Sequence, residues 1–145
     1  MKVSIGSDKS GFVYKTSLCN SLKKKGFDVA DVGTFSNTIC DYPDYAEQVS
    51  NLVASGNCEF GILICGSGEG MAIAANKVKG IRCGIGYNDE VSVLLREHND
   101  ANVISFGAKF MSFEDVERRT FLFLNAKFVG EHHIKRIELI KKMEE

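Results

Sequence analysis

Short apolar runs alternate along the chain with longer amphipathic stretches, the pattern of repeated βα units around a parallel sheet. The apolar runs predict strands at Lys2–Ile5, Asp28–Asp31, Phe60–Cys65, Arg82–Ile85 and Asn102–Phe106. The third reads Phe-Gly-Ile-Leu-Ile-Cys, a continuous apolar stretch as expected for a strand covered on both faces. Tyr45, Ala46, Val49, Leu52 and Val53 fall on one stripe of a helix; Pro43 and Asp44 suit its first turn and Gly56 its end. Tyr14, Leu18 and Leu22 mark a helix from about Gly11 to Lys24, ended by Gly26. Ser112-Phe-Glu-Asp115 opens another with a near capping box. From Glu131 to Glu145 the pattern is again helical, with Ile134, Ile137 and Ile140 forming a narrow stripe. Such a tail could cover the chain's own core or reach across to another subunit. The pattern is that of an α/β protein, with neither a linker nor an internal repeat, so residues 1–145 are expected to form one domain.

Composition narrows the function without naming it. A net charge of -1 over 145 residues gives no field to attract nucleic acid or an anionic membrane, so any affinity for phosphate must be local. No apolar run approaches a membrane span, and the opening Met-Lys-Val-Ser-Ile-Gly is too short for a signal peptide's apolar core. The five cysteines, at 19, 40, 58, 65 and 83, include no CxxC pair, which fits reduced thiols in a cytoplasmic protein better than disulfides or zinc. No carboxylate or cysteine stands at ligand spacing beside the histidines, so no metal is expected.

The chemistry concentrates after the apolar strand, at Cys65-Gly66-Ser67-Gly68-Glu69-Gly70 leading into a helix. A glycine-rich turn into a helix exposes backbone N–H groups at the positive end of the dipole, a nest for a phosphate or a developing oxyanion. The spacing matches neither the dinucleotide fingerprint nor the P-loop, and by itself a tight turn needing small residues explains it equally well. Cys65 tips the balance, because a thiol among such donors is favoured as thiolate. At the end of the first strand, Asp8 could hold a sugar hydroxyl and Lys9 a phosphate, although helix capping by Asp8 or Ser7 is the plainer reading. His98-Asn99-Asp100 follows a helix, where a histidine is ordinarily a cap. His132, His133 and Arg136 form a modest basic patch, ordinarily a solvated face.

Together these segments resemble the type B ribose-5-phosphate isomerases and the related allose- and galactose-6-phosphate isomerases. The matching stretches are Gly6-Ser-Asp8 with Gly11-Phe12, Asp31-Val-Gly-Thr34, Asp41-Tyr-Pro43, Ile62-Leu-Ile-Cys-Gly-Ser-Gly68, Ala72–Lys77, Gly80-Ile-Arg82, His98–Asn102 and Phe106-Gly107, in family order over nearly the whole chain. The resemblance implies a Rossmann-like three-layer α/β/α sandwich with a five-stranded parallel sheet in strand order 2-1-3-5-4. It also implies a homodimer, or a dimer of dimers, with active sites at the interface and no metal or organic cofactor. By the same resemblance Cys65 is the base that moves a proton between C2 and C1, and Ser67 assists transfer between O1 and O2. Backbone amides from Gly66 to Gly70, Gly68 and Glu69 included, form the anion hole. His98 opens the sugar ring, Asp8 and Tyr42 hold the sugar, and Asn99 lies near the reacting oxygens. Members that lack the cysteine use a glutamate at the position of Met71, so this chain falls in the cysteine branch; Glu69 reads as a first-turn acid.

Three departures bear on the substrate. Lys9 stands where ribose-specific members commonly have His, and His132 and Lys109 where they have Arg, while His133 and Arg136 match. Point charges thus replace guanidinium forks around the phosphate. The resemblance favours ribose 5-phosphate as substrate. Alternatives are a six-carbon sugar phosphate isomerase and a silent phosphosugar-binding subunit; survival of Cys65, Ser67, Asp8, His98 and Asn99 speaks against the latter. A flavodoxin-type nucleotide module would lack its fingerprint here.

Overall fold

In the computed structural model, which describes residues 1–145, strands and helices alternate up to the last helix. The order is β1 (Lys2–Ser7), α1 (Phe12–Lys24), β2 (Asp28–Gly33), α2 (Tyr42–Ala54), β3 (Phe60–Cys65), α3 (Glu69–Ala75), β4 (Cys83–Ile85), α4 (Asp89–Glu97), β5 (Val103–Gly107), α5 (Phe113–Asn125) and α6 (His133–Lys142). The five strands form one parallel sheet in the order β2-β1-β3-β5-β4, the order that the resemblance implies.

Alternation along β3 divides the core into two layers. Ile62 and Ile64 face Leu18 and Leu22 of α1 and Val116 and Phe123 of α5. Leu63 and Cys65 face Ala46, Val49 and Val53 of α2 and Met71 and Ala75 of α3. Covered on both sides, β3 has no use for a polar residue, which is why it reads as an unbroken apolar run. β1 and β2 each run two residues further than hydropathy predicts, into Gly6-Ser7 and Val32-Gly33, where Gly6 pairs with Gly33 and Ser7 with Ile64. β4 starts one residue later than expected, and β5 is displaced by one residue.

Local signals explain three of the six helix starts. Pro43 lies in the first turn of α2; Ser112 Oγ caps α5 by accepting the Asp115 N–H at 3.1 Å, and Asn88 Oδ1 caps α4 from Val91 N at 3.2 Å. α6 is shorter than the tail pattern suggests. His132 is its N-cap, and of the predicted stripe only Ile137 is buried, with Ile134 48% and Ile140 42% exposed. No helix is long and apolar enough to cross a membrane.

One buried ion pair was not foreseen. Lys15 occupies the inner face of α1, its Nζ 2.8 and 2.7 Å from the two carboxylate oxygens of Asp31 and above the rings of Phe12 and Phe35. Asp31 also accepts the Gly33 N–H, fixing the end of β2 where its register against β1 shifts. Burial and the Asp31 charge push the neighbouring Cys19 thiol up to about 11.

Candidate active site

The strand order reverses between β1 and β3, and at such a point an open α/β sheet leaves a crevice beyond its carboxyl edge. Cys65 ends β3 there, 5% exposed, with the Gly68 N–H donated to its sulfur at 3.2 Å. The loop is clamped from below. Ser105 Oγ donates to the Gly68 carbonyl at 2.7 Å, Ala108 N to Cys65 O at 2.8 Å and Lys109 N to Gly66 O at 3.0 Å. Two glycines are required by this packing: Gly68 adopts φ +84°, and a Cβ on Gly107 would lie 2.4 Å from the Ser67 carbonyl oxygen.

Of the loop amides expected to cradle an anion, two are used internally. Gly68 N serves Cys65 Sγ, and Glu69 N donates to Ser67 Oγ at 3.2 Å. The N–H groups of Gly66, Ser67 and Gly70 donate to no group of the chain, so they are the ones open to a ligand. The Glu69 side chain is exposed in the first turn of α3, the place read for it from the sequence. Around the loop stand the other residues expected here. Ser7 of β1 pairs with Ile64, which places Asp8, Lys9 and Ser10 beside Cys65. Asp8 Oδ1 accepts the Gly11 N–H at 3.1 Å, so the carboxylate caps this turn with one oxygen while the other makes no hydrogen bond within the chain. Tyr42 lies over Gly70, its ring 2.6 Å from where a Cβ would stand, and the Lys109 stem and Ser10 hydroxyl border Gly66.

The remaining candidates gather elsewhere. α4 descends from the carboxyl edge of β4, so His98, its C-cap, and Asn99 emerge at the amino edge of the sheet. Arg82, just ahead of β4, confirms this by donating to the carbonyls of Asn99 at 3.0 Å and Asp100 at 2.7 Å. Since Cys65 is level with Gly107 and the chain enters β5 at Val103, the two ends are separated by a strand length of roughly 13 Å. The approach to α6 is tied to the same edge by Val129 N donating to Glu97 O at 3.1 Å. There His98, Asn99, His133 and Arg136 line a cleft of about 350 Å³ between α4 and α6. His98 stacks on His133 with centroids 4.3 Å apart, and His132 leans on His133 at 4.1 Å. Arg82, Arg96, Arg118 and Arg119 are all ion-paired; Arg136 is not.

One chain thus holds a buried thiol with open amides at one sheet edge and an unpaired arginine among three histidines at the other. The first can accept a proton beside a stabilised oxyanion; the second can hold an anion. No group of three or more His, Cys, Asp or Glu side chains is placed to hold a metal ion. Ser105 and Ser10 escaped the sequence reading. A lone serine in the apolar run Val-Ile-Ser-Phe was the available signal for the first, and its hydroxyl anchors the loop.

Comparison with known proteins bears on the family and the fold. The sequence profile described as Ribose/Galactose Isomerase matches residues 3–140. Ribose-5-phosphate isomerase B of Escherichia coli (strain K12) is 40% identical over 144 residues, 99% of this chain and 97% of that one. A ribose-5-phosphate isomerase B structure from Clostridium thermocellum superposes with a TM-score of 0.98 at 41% identity, covering 99% of this chain and 97% of that one. One from Mycoplasma genitalium, with bound ribulose-5-phosphate, reaches 0.95 at 35% identity, covering 99% and 95%. With fold, strand order and nearly full-length similarity in accord, this chain is an aldose–ketose isomerase belonging to the ribose/galactose isomerase family.

Proposed function

We propose that the protein, acting as one domain, interconverts ribose 5-phosphate and ribulose 5-phosphate through an enediolate, with the Cys65 thiolate as base. The observation that carries this reading is the buried Cys65 sulfur at the sheet's switch point, with an N–H donated to it and open amides alongside. Cys65 takes the proton from C2 of the open-chain aldose, and negative charge moves onto O1. The amides of Gly66, Ser67 and Gly70 stabilise that charge while Ser67 passes the O2 proton to O1. Protonation of C1 by the Cys65 thiol completes the ketose. Asp8 and Tyr42 hold the sugar hydroxyls.

Ring opening and phosphate binding fall to the second cluster, which one chain cannot bring to its own Cys65. A second copy of the chain therefore supplies His98, Asn99, His132, His133 and Arg136, with Lys9 and Lys109 adding charge from the loop side. The exposed Tyr42, Tyr87, Phe110, Ile134 and Ile140 support a homodimer that covers apolar surface as it completes two sites. The enzyme is assigned to the cytoplasm, with neither nucleic acid nor membrane as partner. It works without a metal or organic cofactor, so activity should persist after dialysis against EDTA; loss that a divalent ion restores contradicts this.

The substrate assignment follows the relatives, whose names specify ribose 5-phosphate. Coupled turnover assays should give a kcat/KM for ribose 5-phosphate at least about tenfold above those for allose and galactose 6-phosphates. A hexose phosphate ahead by that factor overturns the substrate while leaving the chemistry.

A further inference from the structure

The amino-edge cluster holds three imidazoles in one pile. His133 lies between His98 and His132, with interplanar angles of 15° and 37°. The charged groups facing it are His132, Arg136 and Glu131 from its own segment and His98 from the end of α4; only Glu131 is negative. None of the three imidazoles or Arg136 is ion-paired. Rings at stacking distance cannot all carry a proton without repelling one another, and Arg136 is permanently charged. His133 is accordingly held below the ordinary imidazole range, by partial burial first and then by His132, His98 and Arg136.

A dianion seated at Arg136 reverses that balance, because an opposite charge within a few ångströms favours the cationic imidazole. We propose that the stack is a proton-linked receptor: binding of the substrate's phosphate at Arg136 draws one solvent proton onto the His132–His133 pair. This rests on the assignment of Arg136, His132 and His133 to the phosphate. The proton passes from water to an imidazole nitrogen, and no bond of the ligand changes. His132 sets the uptake, since a guanidinium at that position would bring its charge already in place and, lying against His133, oppose protonation of that ring as well.

Linkage gives the size of the effect. Uptake of a full proton makes affinity fall about tenfold per pH unit above the stack's own titration. Sulfate is the discriminating probe, because it keeps both negative charges across the neutral range and any proton uptake is the protein's. The full-length protein is titrated calorimetrically with sulfate at about pH 7.5, in two buffers of low and high ionisation enthalpy. The expected result is an uptake of about half to one proton per sulfate bound. His132→Gln should cut that uptake by at least about half, and His132→Arg should bind sulfate with little uptake and a flattened pH dependence. Sulfate binding with the same heat in both buffers overturns the proton linkage while the phosphate assignment stands. Failure of sulfate to bind, or equal binding by Arg136→Ala, removes the phosphate assignment and the linkage with it.

Discussion

The loop around Cys65 and the cluster around His133 are built in opposite ways. The loop is finished within the chain: its carbonyls are taken by Ser105, Ala108 and Lys109, its turns need Gly68 and Gly107, and its sulfur already has a donor. The histidine cluster is open, with His98 and His132 exposed and His133 half-buried, an unpaired arginine and a helix that buries one residue of its stripe. Proton abstraction demands a base held to a fraction of an ångström, which only a packed strand end provides. Anion capture tolerates mobile charges and can be delivered by another molecule of the same chain. On the roles proposed for them, the two ends divide the labour between fixed chemistry and adaptable binding.

The comparison can be broken most directly at the finished end. Cys65→Ala should lower isomerisation by about 10²–10⁴ with the circular dichroism spectrum unchanged, and near-normal turnover would remove Cys65 as base. The next test joins the two ends. Cys65→Ala and His98→Ala proteins, each nearly inactive, should regain about a quarter of wild-type activity when refolded together, from one intact site in half of the dimers. No recovery would mean that each chain completes its own site. At the open end, Arg136→Ala should raise KM about tenfold or more with a smaller change in kcat, measured by initial rates, because phosphate binding is largely common to ground and transition states. The smallest effect concerns stability. His133 is held below its ordinary range in the folded chain, so the unfolded chain binds that proton more readily. Stability should be unaffected by this group above about pH 6.5 and decline as pH falls below it. His133→Gln should flatten that part of a pH series of thermal midpoints; an unchanged series would mean that the stack imposes no such penalty.

The sheet was legible because β3 and the amphipathic helices carry their periods openly, and the Cys-Gly-Ser-Gly loop marked one half of the proposed site. What hydropathy missed was what works against it. Lys15 sits in an apolar stripe because Asp31 receives its charge inside the fold, and no single-residue rule announces a partner on the next strand. Gly6, Ser7 and Gly33 extend their strands through backbone pairing, Gly6 with Gly33 and Ser7 with Ile64, while Val32 falls at the register shift. The separation of His98 from Cys65 follows from the direction of α4 and not from either residue's neighbours in sequence. The use of Gly68 N on the sulfur depends on a left-handed turn that the glycine permits but does not reveal.

The contact between Gly107 and Ser67 also limits how this enzyme can be altered by selection. A side chain at 107 would meet the carbonyl oxygen, carbonyl carbon and Cα of Ser67 at 2.4–2.9 Å, all main-chain atoms with no rotamer to yield. Random libraries at this position should therefore return glycine alone, and insertions between Cys65 and Gly70 would have to be matched by changes in β5. The adjustable neighbours are Tyr42, Ser10 and Lys109, whose side chains reach the loop from separate segments of the chain. New substrates are to be sought by mutating those surroundings, with the strand end and its loop inherited as a single block.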